Sequence, residues 1–133
     1  MLAMTAMLLL DYGTLAQFEG RWELDPSALA DAPSFTCEAE PLVIEIDAAA
    51  RRYVSLREGF RASADILDFR RNMLLIQYDD EARLDAAGQP VAWFLLLIDD
   101  GRGFVWVRRD WIDRETGETR ATAPRWRCPL PMS

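Results

Sequence analysis

From residue 17 onward the chain alternates short apolar stretches with turn-like polar clusters. The clearest stretch places Leu42, Ile44 and Ile46 against Val43, Glu45 and Asp47. That period of two is the signature of a strand with one buried face. Similar stretches over 18–24, 35–47, 53–57, 60–69, 73–78, 91–98, 104–109 and 119–127 predict eight strands. They are separated by clusters such as Asp25-Pro26-Ser27, Asp79-Asp80-Glu81, the run from Asp85 to Pro90, and Glu115-Thr116-Gly117-Glu118. Nothing after residue 17 holds a 3.6-residue period long enough for a core helix. Mostly hairpin-sized connections favour strands that neighbour one another in order, and closure removes the exposed edges of such a meander. The expected fold is all-β: an eight-stranded antiparallel up-and-down β-barrel over residues 17–133, as a single domain.

Strand 91–98 is apolar on both faces, so its outward row needs a cover. Three covers are open: the N-terminal apolar segment, a second copy of the chain in a homodimer, or a protein partner. Residues 2–10 are uncharged and far too short to span a membrane as a helix. Residues 1–16 read either as a signal peptide, with small residues at Thr14 and Ala16 ahead of cleavage, or as a retained N-terminal helix docked on the domain. The first reading, slightly preferred, places the protein in the periplasm or outside the cell; the second leaves it cytoplasmic.

Composition narrows the chemistry. The chain has 133 residues, 50% of them apolar and 28% charged, enough for one domain with a real core. It has no histidine, and all fifteen of its cationic side chains are arginine. Ser-His-Asp and Cys-His nucleophilic sites, His-ligated metals and a Schiff-base lysine are therefore excluded. The net charge of −7 argues against a nucleic-acid partner. The basic pairs Arg51-Arg52, Arg70-Arg71 and Arg108-Arg109 are each flanked by acidic residues. The carboxylates of Asp79-Asp80-Glu81, Asp99-Asp100, and Asp110 with Asp113 sit in turns, where burial cannot raise a pKa for acid–base work. Asp79-Asp80-Glu81 also lacks the spaced ligands of a calcium loop. No catalytic residue, metal or cofactor is expected, and the chain is not expected to be an enzyme.

Cys37 precedes one strand and Cys128 follows the last, positions that suit a bridge between the tail and the barrel. In an oxidising compartment such a bridge would stabilise the fold by about 4–5 kcal/mol in the chain-entropy treatment. The alternative is two separate buried thiols.

Gly20-Arg21-Trp22, with Phe18 two residues ahead of the glycine and seven strands after it, resembles the Gly-x-Trp opening motif of the lipocalins and the wider calycin superfamily. Asp100-Gly101-Arg102-Gly103-Phe104 resembles a second segment of that group, and a tail-to-barrel disulfide is common in it. The resemblance implies that Trp22 closes the barrel base under a stacked arginine, for which Arg108, Arg109, Arg125 and Arg127 are candidates. It also implies an apolar calyx for a small hydrophobic or amphipathic ligand. Strand faces nominate Leu42, Ile44, Ile46, Val54, Leu56, Leu74, Ile76, Phe94, Leu96, Phe104 and Trp106 as lining. Arg57 and Arg108 are nominated to receive a ligand carboxylate. An eight-stranded barrel can equally be filled by its own side chains. Small exported bacterial barrels also include protease inhibitors, which implies an alternative: a protein-interaction module acting through its loops and N-terminal segment, with Trp111 and Tyr12 as anchors.

Overall fold

A computed structural model describes residues 13–24 and 41–128. Eight strands run in sequence order around a closed barrel: β1 (Gly20–Leu24), β2 (Leu42–Asp47), β3 (Arg52–Arg57), β4 (Phe60–Arg70), β5 (Met73–Tyr78), β6 (Trp93–Ile98), β7 (Gly103–Arg108) and β8 (Arg125–Arg127). Every neighbouring pair is antiparallel, including the closing pair of β1 with β8. One end, the base, holds the β2–β3, β4–β5 and β6–β7 turns. The other, the mouth, holds the β3–β4 hairpin and the long β5–β6 and β7–β8 connections. Turn chemistry matches the geometry: Gly59 adopts φ 70° in the two-residue β3–β4 hairpin, and Asp99 and Asp100 take φ 52° and 55° between β6 and β7. Asp and Asn tolerate that region better than most residues.

Two strands end differently from the sequence pattern. The last was expected over 119–127, yet β8 is only Arg125–Arg127. Pro124 has no N–H to donate to a ladder. The second was expected over 35–47 and begins at Leu42; residues 35–40 lie outside the described residues.

The register decides what faces inward. On β2 it is Leu42, Ile44 and Ile46; on β5, Leu74, Ile76 and Tyr78; on β7, Phe104 and Trp106. Four nominated lining residues face the other way. Val54 and Leu56 are outward because β3 turns Tyr53, Ser55 and Arg57 into the barrel. Phe94 and Leu96 are outward because β6 turns in Trp93, Leu95 and Leu97. In β3 the inner face is the more polar one, so a search for alternating apolar residues selects the wrong side. In β6 both faces are apolar and alternation selects neither.

The outward row of β6 is continued by its neighbours. Phe94 pairs with Leu75 on one side and Val107 on the other, and Leu96 with Met73 and Val105. Leu75 and Val107 are buried although they point out of the barrel. Ahead of β1, residues 13–16 form a helical turn that carries Leu15, and then Phe18, into the core, both with no exposed surface.

Candidate functional site

The base is closed by residues from three separated segments. Gly20, at φ 135°, bends the chain into β1, and Trp22 two residues later is fully buried. Phe104 meets the Trp22 ring edge-on, with centroids 4.9 Å apart. Below them the Arg127 guanidinium stacks 4.1 Å from the Trp22 ring centroid, while its terminal nitrogens donate to the Glu19 and Gln17 carbonyls at 2.8 and 2.6 Å. Of the four arginines nominated for this stack, Arg127 occupies it. The approach is close: a Cβ added at Gly20 would lie 2.9 Å from Arg127 Nη1. Gly103 is constrained in the same way, since a Cβ there would lie 2.8 Å from the Trp126 ring. With Leu15, Phe18, Ile44, Leu74, Ile76 and Leu95 almost wholly buried alongside, the lower half of the barrel is filled with side chains.

Edge-to-face and tilted ring contacts carry the packing upward. Phe104 meets Trp106 at 5.5 Å, and Trp106 meets Tyr53 at 6.2 Å and Tyr78 at 6.4 Å. Above these three rings the barrel opens into a recess of about 640 Å³. The recess is within the range of small-molecule sites, which combine an apolar body with a few placed polar groups. Leu24, Leu42 and Phe60 supply apolar wall; Ser55, Arg57 and Arg125 supply polar groups from inward positions of β3 and β8.

The electrostatics are unusual for so acidic a chain. Arg125 is half-buried, and both that burial and the neighbouring Arg57 guanidinium push its pKa below the ordinary value, with Glu23 opposing them. The Glu81 carboxylate is neutralised at the rim. It accepts from Trp93 Nε1 at 3.0 Å and pairs with Arg83 at 3.0 Å. Tyr53 is fully buried, and burial raises its pKa well above the ordinary 10.0. Its hydroxyl meets no partner at full hydrogen-bond geometry among the described residues, although the Ser55 and Tyr78 hydroxyls are near enough to influence its ionisation. An unsatisfied buried hydroxyl costs stability, about 1–3 kcal/mol.

Of the nominated lining residues, Leu42 and Trp106 reach this recess. Ile44, Leu74, Ile76 and Phe104 face inward but belong to the filled base, with Ile46 packed against them. Arg57 enters the recess as expected. Arg108 does not: both of its forks go to Asp110, at 3.0 and 2.9 Å, and its guanidinium lies over the Trp93 and Trp111 rings. Trp111 is half-buried between Trp93 and the Arg108 and Arg120 guanidinia, so it is not a free-standing anchor. Tyr12 and Cys37 lie outside the described residues; Cys128 is buried directly after β8, its N–H donating to the Arg21 carbonyl at 2.8 Å.

The sequence reading missed Tyr53, Tyr78, Ser55 and Arg125 as site residues. The first three occupy strand positions that count as polar in an apolar search, and Arg125 was distinguishable only once Arg127 had taken the base.

The acidic clusters serve as structure. Asp79 holds Arg52 together with Asp65, at 2.9 and 2.8 Å, and the guanidinium keeps the Asp79 carboxyl below its usual pKa. Asp113 accepts the Glu115 and Thr116 N–H groups across its turn, which likewise lowers its pKa. Among the described residues no group of three metal-ligating side chains converges. No helix of the described residues is long and apolar enough to cross a membrane. No family model, curated protein or solved structure matches the chain.

Proposed function

We propose that the protein is a lipocalin-like binding protein for a small amphipathic ligand, held in the mouth half of the barrel. The observation that carries this reading is the division of the interior. The base is packed by Trp22, Phe104 and their neighbours, whereas the mouth is a recess with an aromatic floor and an unsatisfied Tyr53 hydroxyl. A barrel selected for stability alone would be filled along its whole length, because empty volume and orphaned polar groups both cost free energy. The meeting of Gly20-Arg21-Trp22, the Asp100–Phe104 segment and Arg127 at the base supports the lipocalin-like assignment. Titrating the protein with naphthalene-based and acyl-chain probes tests it. Trp106 fluorescence is expected to respond saturably with one site per chain, and silence across the panel overturns the reading.

A second reading has its own support. Three of the large exposed apolar side chains lie at the mouth end: Phe60 at the start of β4, and Leu84 and Ile112 in the β5–β6 and β7–β8 connections. A protein partner docking over the mouth would bury them, as in a protease inhibitor that acts through its loops. Loss of a captured partner in Leu84→Ser, which lies outside the recess, with probe binding intact, separates this from ligand carriage.

The reading includes export to an oxidising compartment and a Cys37–Cys128 bridge, supported by the burial of Cys128 where the tail leaves β8. Thiol titration of protein from its native compartment is expected to find no reactive thiol before reduction and two per chain after it.

A further inference from the structure

The charges around the recess do not suit a purely apolar ligand. Four arginines line it, Arg57, Arg61, Arg83 and Arg125, against two carboxylates, Asp80 and Glu81. Glu81 is already committed to Arg83 and Trp93. That leaves Arg57 and Arg125 directed into one space, close enough that Arg57 disfavours the charge on Arg125, with Glu23 in partial compensation beside Arg125 and Asp80 elsewhere on the lining. Like charges held together over an apolar floor weaken the empty protein, and an anion between them converts that repulsion into two charge-assisted hydrogen-bonding partners. Below them the wholly buried Tyr53 ring, with Tyr78 and Trp106, gives the recess an aromatic floor.

The depth restricts the body of the ligand. From Tyr53 at the floor to Arg57 at the rim is four strand residues, about 13 Å along β3, and about 10 Å along the barrel axis at a usual strand tilt. The base beneath is closed by Trp106, Phe104 and Trp22. A long acyl chain cannot extend downward past these rings, whereas a flat ring system can rest on their edges.

We propose that the recess binds a compact aromatic carboxylate, its ring against Tyr53, Tyr78 and Trp106 and its carboxylate between Arg57 and Arg125. The proposal rests on the binding-protein reading and specifies its ligand class. The test compares naphthoate, its neutral analogue hydroxymethylnaphthalene, and palmitate, by Trp fluorescence and calorimetry on the full chain. Naphthoate is expected to bind about tenfold or more tightly than the neutral analogue, with a preference that shrinks as salt is added. Palmitate is expected to bind more weakly than naphthoate. Arg57→Gln and Arg125→Gln are each expected to erase most of the preference, weakening naphthoate far more than the neutral analogue. Arg57 is at the exposed rim, so its variant reports on binding even where Arg125→Gln fails to fold. Equal affinity for naphthoate and the neutral analogue overturns the anion assignment while leaving the cavity reading standing. Tighter palmitate binding overturns the compact-ligand assignment. Failure of all three to bind overturns the cavity reading itself.

Discussion

Tyr53 is the residue whose chemistry is least explained by folding alone. Removing its hydroxyl deletes a buried polar atom without a partner and leaves the ring packing on Tyr78 and Trp106 intact. Tyr53→Phe is therefore expected to stabilise the ligand-free protein by about 1 kcal/mol in urea unfolding. The pH dependence has a definite sign. A tyrosine whose folded pKa lies above its unfolded value of 10.0 contributes stability that is fully present below that value and is lost as pH rises above it. Tyr78 is shifted in the same direction by burial, so alkaline unfolding of the wild type is expected to coincide with phenolate absorbance and to become shallower in Tyr53→Phe. Arg127 makes the opposite kind of contribution. Arg127→Lys keeps the charge but loses the planar stack on Trp22 and the fork to two carbonyls. A loss of about 1–2 kcal/mol is expected by the same measurement. That one arginine would cover Trp22 followed from the resemblance to the calycin group. Spacing could not choose among four, because the choice depends on how far β8 runs before it meets β1.

Among the strands, the weakest junction is the one between β7 and β8. It pairs only Gly103 with Trp126 and Phe104 with Arg125, then continues through Thr122, which both donates to and accepts from Trp106. By contrast β3 and β4 pair over six consecutive positions. Amide exchange is expected to release the β8 protons well before those of β3 and β4, since local opening follows the number of ladder bonds that must break. Gly103→Ala is expected to accelerate it further, as the added methyl must displace the Trp126 ring. A β8 that exchanges as slowly as β3 would place the weak point elsewhere. The number of strands and their order were readable from turn residues and period. The brevity of β8 was readable too, in Pro124, but apolar patterning across 119–127 concealed it.

For the molecule as a whole, the open question posed by strand 91–98 becomes a specific outer stripe: Met73, Leu75, Phe94, Leu96, Val105 and Val107 across β5, β6 and β7. The chain ahead of Phe18 reaches the base beside the β4–β5 turn, where the Gln17 side-chain amide donates to the Arg71 carbonyl. That turn is one end of the stripe. The uncharged run of residues 2–10 lies only a few residues further back in sequence. A chain that starts at Gly13 is expected to bind a hydrophobic dye, read by dye fluorescence, or to dimerise through β6, read by light scattering, and the full chain is expected to do neither. No difference between the two would point to a separate partner for the stripe. Leu15 is buried in the core, so cleavage after Ala16 is expected to destabilise the barrel.

What local patterning could settle was period and punctuation. Alternation established that the elements are strands, the turn residues separated them into eight, and the absence of histidine and lysine removed whole classes of chemistry before any fold was known. Gly20 and Trp22 marked the base through the resemblance to the Gly-x-Trp opening motif, and the structure gives them a positive-φ turn and a large apolar plug. Inside and outside were a different matter. A strand with apolar residues on both faces, such as β6, or one whose inner face carries Tyr53, Ser55 and Arg57, holds no local sign of which side is in. That is decided by the register of each neighbour around a closed ring, where one strand's orientation constrains all the others. Only closure turned Arg57 and Arg125, 68 positions apart in the chain, into the same recess.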